Sequence, residues 1–259
     1  MSANPEFLKK NAQEAAMSGT NEFIELYKQD LAKAKKANDL RKISAIFKKM
    51  ASAYAETQQW DKALEYYVRS IDADEHTGDQ EGIGKAFACI GNLFYAQQEW
   101  DKALMFYSKE LEVEEHRRNR KGIARAYNNV GSVYARQGKV DKALESFNRS
   151  LDLKDEIGDI KGKISTYDNM ALVFDMLKEW KKAEQFYDLS YEIKARLNDV
   201  VGMAENLWRR AKLYEEQEAY QEALDLMAQT ISLLESVNHA HLEKYRSAFN
   251  DLLRFVYTE

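Results

Sequence analysis

The segment Trp60-Asp61-Lys62-Ala63-Leu64 returns at a constant interval of 40 residues, with no insertion. The later copies are Trp100-Asp101-Lys102-Ala103-Leu104, Val140-Asp141-Lys142-Ala143-Leu144, Trp180-Lys181-Lys182-Ala183-Glu184 and Tyr220-Gln221-Glu222-Ala223-Leu224. A period of this size marks an array of supersecondary units, each too small to bury its own apolar face and therefore stacked on its neighbours. Other positions keep the phase. Ala51, Gly91, Gly131, Ala171 and Ala211 form a small-residue column, and Tyr54, Phe94, Tyr134, Phe174 and Tyr214 follow three residues later. Ala63, Ala103, Ala143, Ala183 and Ala223 form a second small column, with Tyr67, Tyr107, Phe147, Tyr187 and Met227 four residues beyond. Small residues let two helices approach, and large ones fill the space between them.

Within a unit the apolar spacing is helical. Tyr127, Val130, Gly131 and Tyr134 fall at i, i+3, i+4, i+7, and after a turn at Gly138 so do Ala143, Leu144, Phe147 and Leu151. Each unit reads as helix–turn–helix. Asn38, Gly78, Gly158, Asn198 and Asn238 share the boundary column with one exception, Arg118, and these residue types suit a left-handed helix end. Asp39, Asp79, Asn119, Asp159 and Asp199 follow immediately, placed to N-cap the next helix. A single Pro in 259 residues agrees with long helices and short connections, and a single Cys excludes an internal disulfide.

The small, aromatic, Ala and aromatic columns resemble tetratricopeptide repeats. The 40-residue spacing and Gly-Asp linkers are similar to the longer subclass of the Leu-Gly-Asn repeat spindle adaptor, with Ile90-Gly91-Asn92 standing where that group has Leu-Gly-Asn. The family's Pro near the end of the second helix is absent; Glu75, Glu115, Asp155 and Ala195 lie there, which fits a second helix about one turn longer. The resemblance covers residues 41–238. It implies an all-α, right-handed α-solenoid of about six helix-turn-helix repeats plus a C-terminal capping helix. The whole chain, 1–259, is then one superhelical domain: a degenerate N-terminal repeat over 1–40, repeats 41–80, 81–120, 121–160, 161–200 and 201–238, and a cap over 239–259. In the first of these, residues 5–17 and 21–37 are the expected helices; Glu243–Tyr257 is the expected capping helix.

Catalytic chemistry finds no foothold. Gly82-Ile83-Gly84 has no strand before it and no Lys-Ser/Thr after it, and Gly122, Gly162 and Gly202 mark it as a repeat feature. His76, His116, His239 and His241 make no metal-binding spacing, and Cys89 has no triad partners. We expect no enzyme, no metal and no cofactor. A net charge of −5 without a basic stripe argues against nucleic acid. No apolar run is long enough for membrane insertion, and the N-terminus lacks the order of a signal peptide, so a cytoplasmic location is expected.

The resemblance implies binding of a protein or peptide in a concave groove lined by first helices. The side chains one and two residues after the first core aromatic then face the groove: Lys48 and Lys49, Ala88 and Cys89, Asn128 and Asn129, Asp168 and Asn169, Trp208 and Arg209. Lys85, Arg125, Asn92 and Tyr95 lie a turn to either side. Asn129 and Asn169 can each donate and accept, as a peptide backbone requires. Lys48, Lys49, Lys85 and Arg125 make the first half of the groove basic, which favours an acidic peptide. The Lys/Asn spacing of the chaperone-type carboxylate clamp fails here, because Ser52 and Cys89 occupy two of its positions. The leading expectation is a non-enzymatic adaptor or scaffold. The alternatives are a ligand- or peptide-sensing regulatory subunit, and a scaffold self-assembling through the apolar C-terminal helix; nothing else indicates a homo-oligomer.

Overall fold

The computed structural model describes residues 22–258, and among these every regular element is a helix. The expected helix over residues 5–17 lies outside the described residues. Packing divides the chain into two compact units, Met1–Gln137 and Gly138–Glu259. The first holds α1 (22–36), α2 (Leu40–Glu56), α3 (Trp60–Thr77), α4 (Gln80–Ala96), α5 (Trp100–His116) and α6 (Arg120–Arg136). The second holds α7 (Val140–Glu156), α8 (Ile160–Met176), α9 (Trp180–Arg196), α10 (Val200–Glu216), α11 (Tyr220–Ser236) and α12 (Leu242–Thr258). Within each unit every helix from α2 onward packs on the next in sequence. The sequence carries no mark of the division, since repeat 121–160 runs across it in phase.

The helix ends keep a stricter beat than the 40-residue repeat. Residues 38, 58, 78, 98, 118, 138, 158, 178, 198, 218 and 238 all take positive φ, between 48° and 71°. Only three are Gly; Gln58, Gln98, Arg118, Lys178 and Glu218 bear the strain of a left-handed backbone with a Cβ. The next residue then closes the helix by a bond five residues back, as in Asp79 N–H to Asp74 O at 2.9 Å and Asp199 N–H to Lys194 O at 2.9 Å. Four of the expected N-caps also form: Asp39, Asp79, Asp159 and Asp199 accept from Lys42, Gly82, Gly162 and Gly202 N–H at 2.9–3.1 Å. Asn119 departs from the expectation, because its amide Nδ2 donates to Glu114 Oε2 at 2.7 Å and its side chain makes no cap.

The repeat columns form the core. Ala63, Ala103, Ala143, Ala183 and Ala223 are fully buried. Across three hairpins the aromatic column stacks on the second helix: Tyr54 on Tyr66, Phe94 on Phe106 and Phe174 on Phe186, with centroids 5.4–5.5 Å apart. Lys62, Lys102 and Lys182, from the recurring segment, lie 5.1–5.2 Å over the first-helix ring of each stack. Each stack contributes about 0.5–1.5 kcal/mol and each exposed cation about 0.5–1 kcal/mol. The capping helix α12 buries Leu252 against Leu224 and Met227 of α11.

Candidate functional site

Two columns on the second helices are buried although nine of their ten residues are polar. The first, Ser70, Glu110, Ser150, Ser190 and Thr230, is 0% exposed throughout. Ser70 and Thr230 satisfy themselves by donating to the carbonyls of Tyr67 and Leu226. Glu110 reaches further: it accepts from Arg125 Nε at 2.9 Å and from Asn129 Nδ2 at 3.3 Å. Burial pushes its carboxyl up from the ordinary range, against the opposing pull of Arg125 and Asn129. The second column, four residues on, is Asp74, Glu114, Lys154, Lys194 and Leu234, all buried.

That second column changes sign between the two units. In the first, buried Asp74 of α3 meets Lys48 of α2 at 2.7 Å. In the second, buried Lys194 of α9 meets Asp168 of α8 at 2.9 Å, the same two repeat positions with the charges exchanged. Glu114 of α5 is held by Arg117 Nη1 at 2.6 Å and by Asn119 at 2.7 Å, with Arg125 Nη2 at 3.9 Å. These carboxylates press against the first turns of α4 and α6. A Cβ at Gly82 would overlap the Asp74 carboxylate, and one at Gly122 would overlap that of Glu114, which is why no side chain is accommodated at either position.

Above these acids the first unit holds a cavity of about 500 Å³. It is lined by Lys48, Lys49 and Ser52 of α2, Tyr67 of α3, Lys85, Ala86, Ala88, Cys89 and Asn92 of α4, and Arg125 of α6. Seven residues expected in a groove, Lys48, Lys49, Lys85, Ala88, Cys89, Asn92 and Arg125, thus come together on one cavity. Its cations are not simply basic. Lys48 is paired with Asp74, Arg125 with Glu110, and Lys85 with Glu81 in an exposed pair. Lys49 alone of the four has no carboxylate partner among the described residues; it lies 6.0 Å from the centre of the Tyr27 ring. The reading of a basic half-groove came from first helices only, and the second helices beneath supply most of the countercharge. Burial pushes the Tyr67 phenol and the Cys89 thiol up, so both are neutral near pH 7.

The other expected groove residues are placed differently. Asn128 is buried on α6 and does not present an open amide. Asn129 is half-buried with one N–H given to Glu110, and Asn92 Oδ1 accepts from Tyr107 Oη at 2.6 Å. Tyr95 packs edge-on against Trp100 and accepts from Arg136 Nε at 3.1 Å. In the second unit Asn169 is half-buried and Arg209 exposed. Trp208 is covered by the cap, T-stacked on Tyr245 of α12 at 4.8 Å, with Lys212 Nζ 5.4 Å from its ring centre. Sequence reasoning missed the buried charges, though the 40-residue phase that revealed the Ala column would have aligned Asp74, Glu114, Lys154 and Lys194 as well. Among the described residues no helix is long and apolar enough to cross a membrane, and no three His, Cys, Asp or Glu side chains cluster for a metal.

Family-level sequence comparison matches tetratricopeptide repeats at residues 47–81, 83–156 and 122–196, together more than half of the chain. A search of curated protein sequences returned no significant match. Among solved structures, BtubC (BKLC) from P. vanneervenii superposes with a TM-score of 0.72 at 14% identity, over 86% of this chain and 93% of that one. A STAND protein with a tetratricopeptide repeat sensor from Pyrococcus horikoshii gives 0.70 at 18% identity, over 92% of this chain and 38% of that one. The Rap conjugation gene regulator of plasmid pLS20, in complex with the Phr* peptide, gives 0.61 at 17% identity, over 97% and 73%. All three are similar in fold.

Proposed function

The chain belongs to the tetratricopeptide repeat family, and on that premise we propose that it is a non-enzymatic protein-interaction module, an adaptor working in the cytoplasm that holds a peptide segment of a partner against the first helices of its first unit. The observation that carries this reading is the cavity of about 500 Å³ built from side chains of α2, α3, α4 and α6. Its size falls in the range of specific binding sites, and its lining combines an apolar floor with a few polar groups at the rim. The Phr* peptide complex of the pLS20 regulator lends support, as a protein of similar fold that holds a peptide.

The test is selection of a displayed random-peptide library on the whole chain, followed by binding of the synthesised winners to wild type and to a Lys49→Glu, Lys85→Glu, Asn92→Ala variant. We expect the variant to retain its far-UV circular dichroism and lose at least tenfold in affinity. Failure to enrich any peptide over a control protein would remove the proposal. A second reading, self-association, is favoured by Leu253, Phe255 and Tyr257, which α12 leaves exposed. Light scattering at high concentration decides it, since a monomer there ends that reading.

A further inference from the structure

The repeats provide their own reference for the cavity. At the two groove positions α2 carries Lys48 and Lys49, α6 carries Asn128 and Asn129, α8 carries Asp168 and Asn169, and α10 carries Trp208 and Arg209. Only α4 has two small side chains there, Ala88 and Cys89. The hollow lies where those large side chains are missing, between Lys48 and Lys49 on one side and Arg125 on the other.

Building on the peptide-binding reading above, we propose that this hollow is a selective pocket for an apolar side chain of the bound peptide, with an acidic residue beside it in the peptide meeting Lys49 at the rim. The floor is Ala86, Ala88, Cys89 and the ring of Tyr67. The cations that reach it, Lys48 and Arg125, are already matched by buried Asp74 and Glu110. A carboxylate pushed to the floor would gain little from them and would lie near two acids that have no solvent around them, so the floor selects against charge. The rim does the opposite. Lys49 has no carboxylate partner among the described residues, and the pair of Lys85 with Glu81 is exposed and therefore weak enough to exchange. Apolar within and acidic outside is the chemistry complementary to this lining.

Cys89 makes the test direct, because it is the only cysteine in the chain and it lines the pocket. A displayed random-peptide library is selected on the whole protein, and the enriched peptides are synthesised. We expect an aliphatic or aromatic residue adjacent to Asp or Glu among them. Bound peptide should slow alkylation of wild-type Cys89 by N-ethylmaleimide at least fivefold, read by mass spectrometry. The Ala88→Asn, Cys89→Asn variant, which gives α4 the pair found on α6, should lose at least tenfold in affinity with its circular dichroism unchanged. Lys49→Glu should weaken binding, and the loss should be smaller at high salt, where the new repulsion of the acidic residue is screened. If peptides bind but Cys89 reacts at its free rate and the double variant binds as well as wild type, the pocket is wrongly assigned and the peptide-binding function stands. If no peptide is enriched, the function falls and the pocket with it.

Discussion

Replacement of Lys154 by Met should make the protein more stable, and the gain should depend on pH. Lys154 is 4% exposed on α7. Its Nζ donates to Thr166 Oγ1 at 2.6 Å, and no carboxylate lies within ion-pair distance among the described residues. Burial brings its pKa from 10.5 down to about 8, with Asp159 at longer range opposing the change. A displacement of that size corresponds to about 3 kcal/mol of penalty on the charged form. The unfolded chain keeps the proton up to about pH 10.4, whereas the folded chain begins to lose it near 8. The unfolded state therefore binds more protons between these values, and wild-type stability rises with pH across that window, with the full penalty present below it. Methionine keeps the volume and removes the charge, but it forfeits the bond to Thr166, worth about 1 kcal/mol. The expected net gain is about 2 kcal/mol at pH 7, falling to about zero near pH 10 and turning into a loss of up to about 1 kcal/mol above it, where only the missing Thr166 bond remains. Urea unfolding followed by circular dichroism at pH 7, 8.5 and 10 measures it. A variant less stable than wild type at pH 7, or a difference that does not change with pH, would refute the reasoning.

Three further outcomes follow from the same geometry. Asp168→Ala leaves the buried Lys194 ammonium without its partner and should cost about 3 kcal/mol in urea unfolding at pH 7, most of it recovered when Lys194→Met is added. Arg125→Ala removes the cation from Glu110, whose carboxyl then rises further; the folded state binds the extra proton, so this variant's deficit against wild type should shrink as pH falls from 7 towards 5. Gly158→Ala places a Cβ where nothing lies within 4 Å, so its cost in thermal unfolding is backbone strain alone, about 1 kcal/mol, while Lys178→Gly should stabilise by about 0.5 kcal/mol.

What could be read from the sequence was whatever the 40-residue phase marks with a distinctive residue. The Ala and aromatic columns, the Asp caps and the helix boundaries are of that kind, because close packing and capping each admit few side chains. The turns halfway through each unit were not legible beyond Gly138. Gln58, Gln98, Lys178 and Glu218 have no preference for a left-handed backbone, and the packing of each hairpin imposes it on them. Asp74, Glu110 and Lys194 were hidden for a different reason. A charged residue on an amphipathic helix reads as solvated unless its partner on the neighbouring helix is known, and Lys48, Arg125 and Asp168 lie 15 to 26 positions away. The cavity was half legible: its lysines stood out, whereas the depth depends on Ala88 and Cys89, two unremarkable small residues whose meaning comes from what the other repeats hold in their place.

The left-handed residue at every twentieth position fixes how this chain can change length. Removing or adding 40 residues rejoins like with like: a groove-lining helix still follows a supporting one, and the Ala, aromatic and buried polar columns keep their phase. A change of 20 would preserve every helix and every turn yet exchange the two roles from that point on, setting Ala-column helices where the groove should be. The hairpin is therefore the smallest block that recombination could copy, delete or swap without loss of register. The cavity, spanning α2, α4 and α6, would survive such exchange only when three successive blocks travel together.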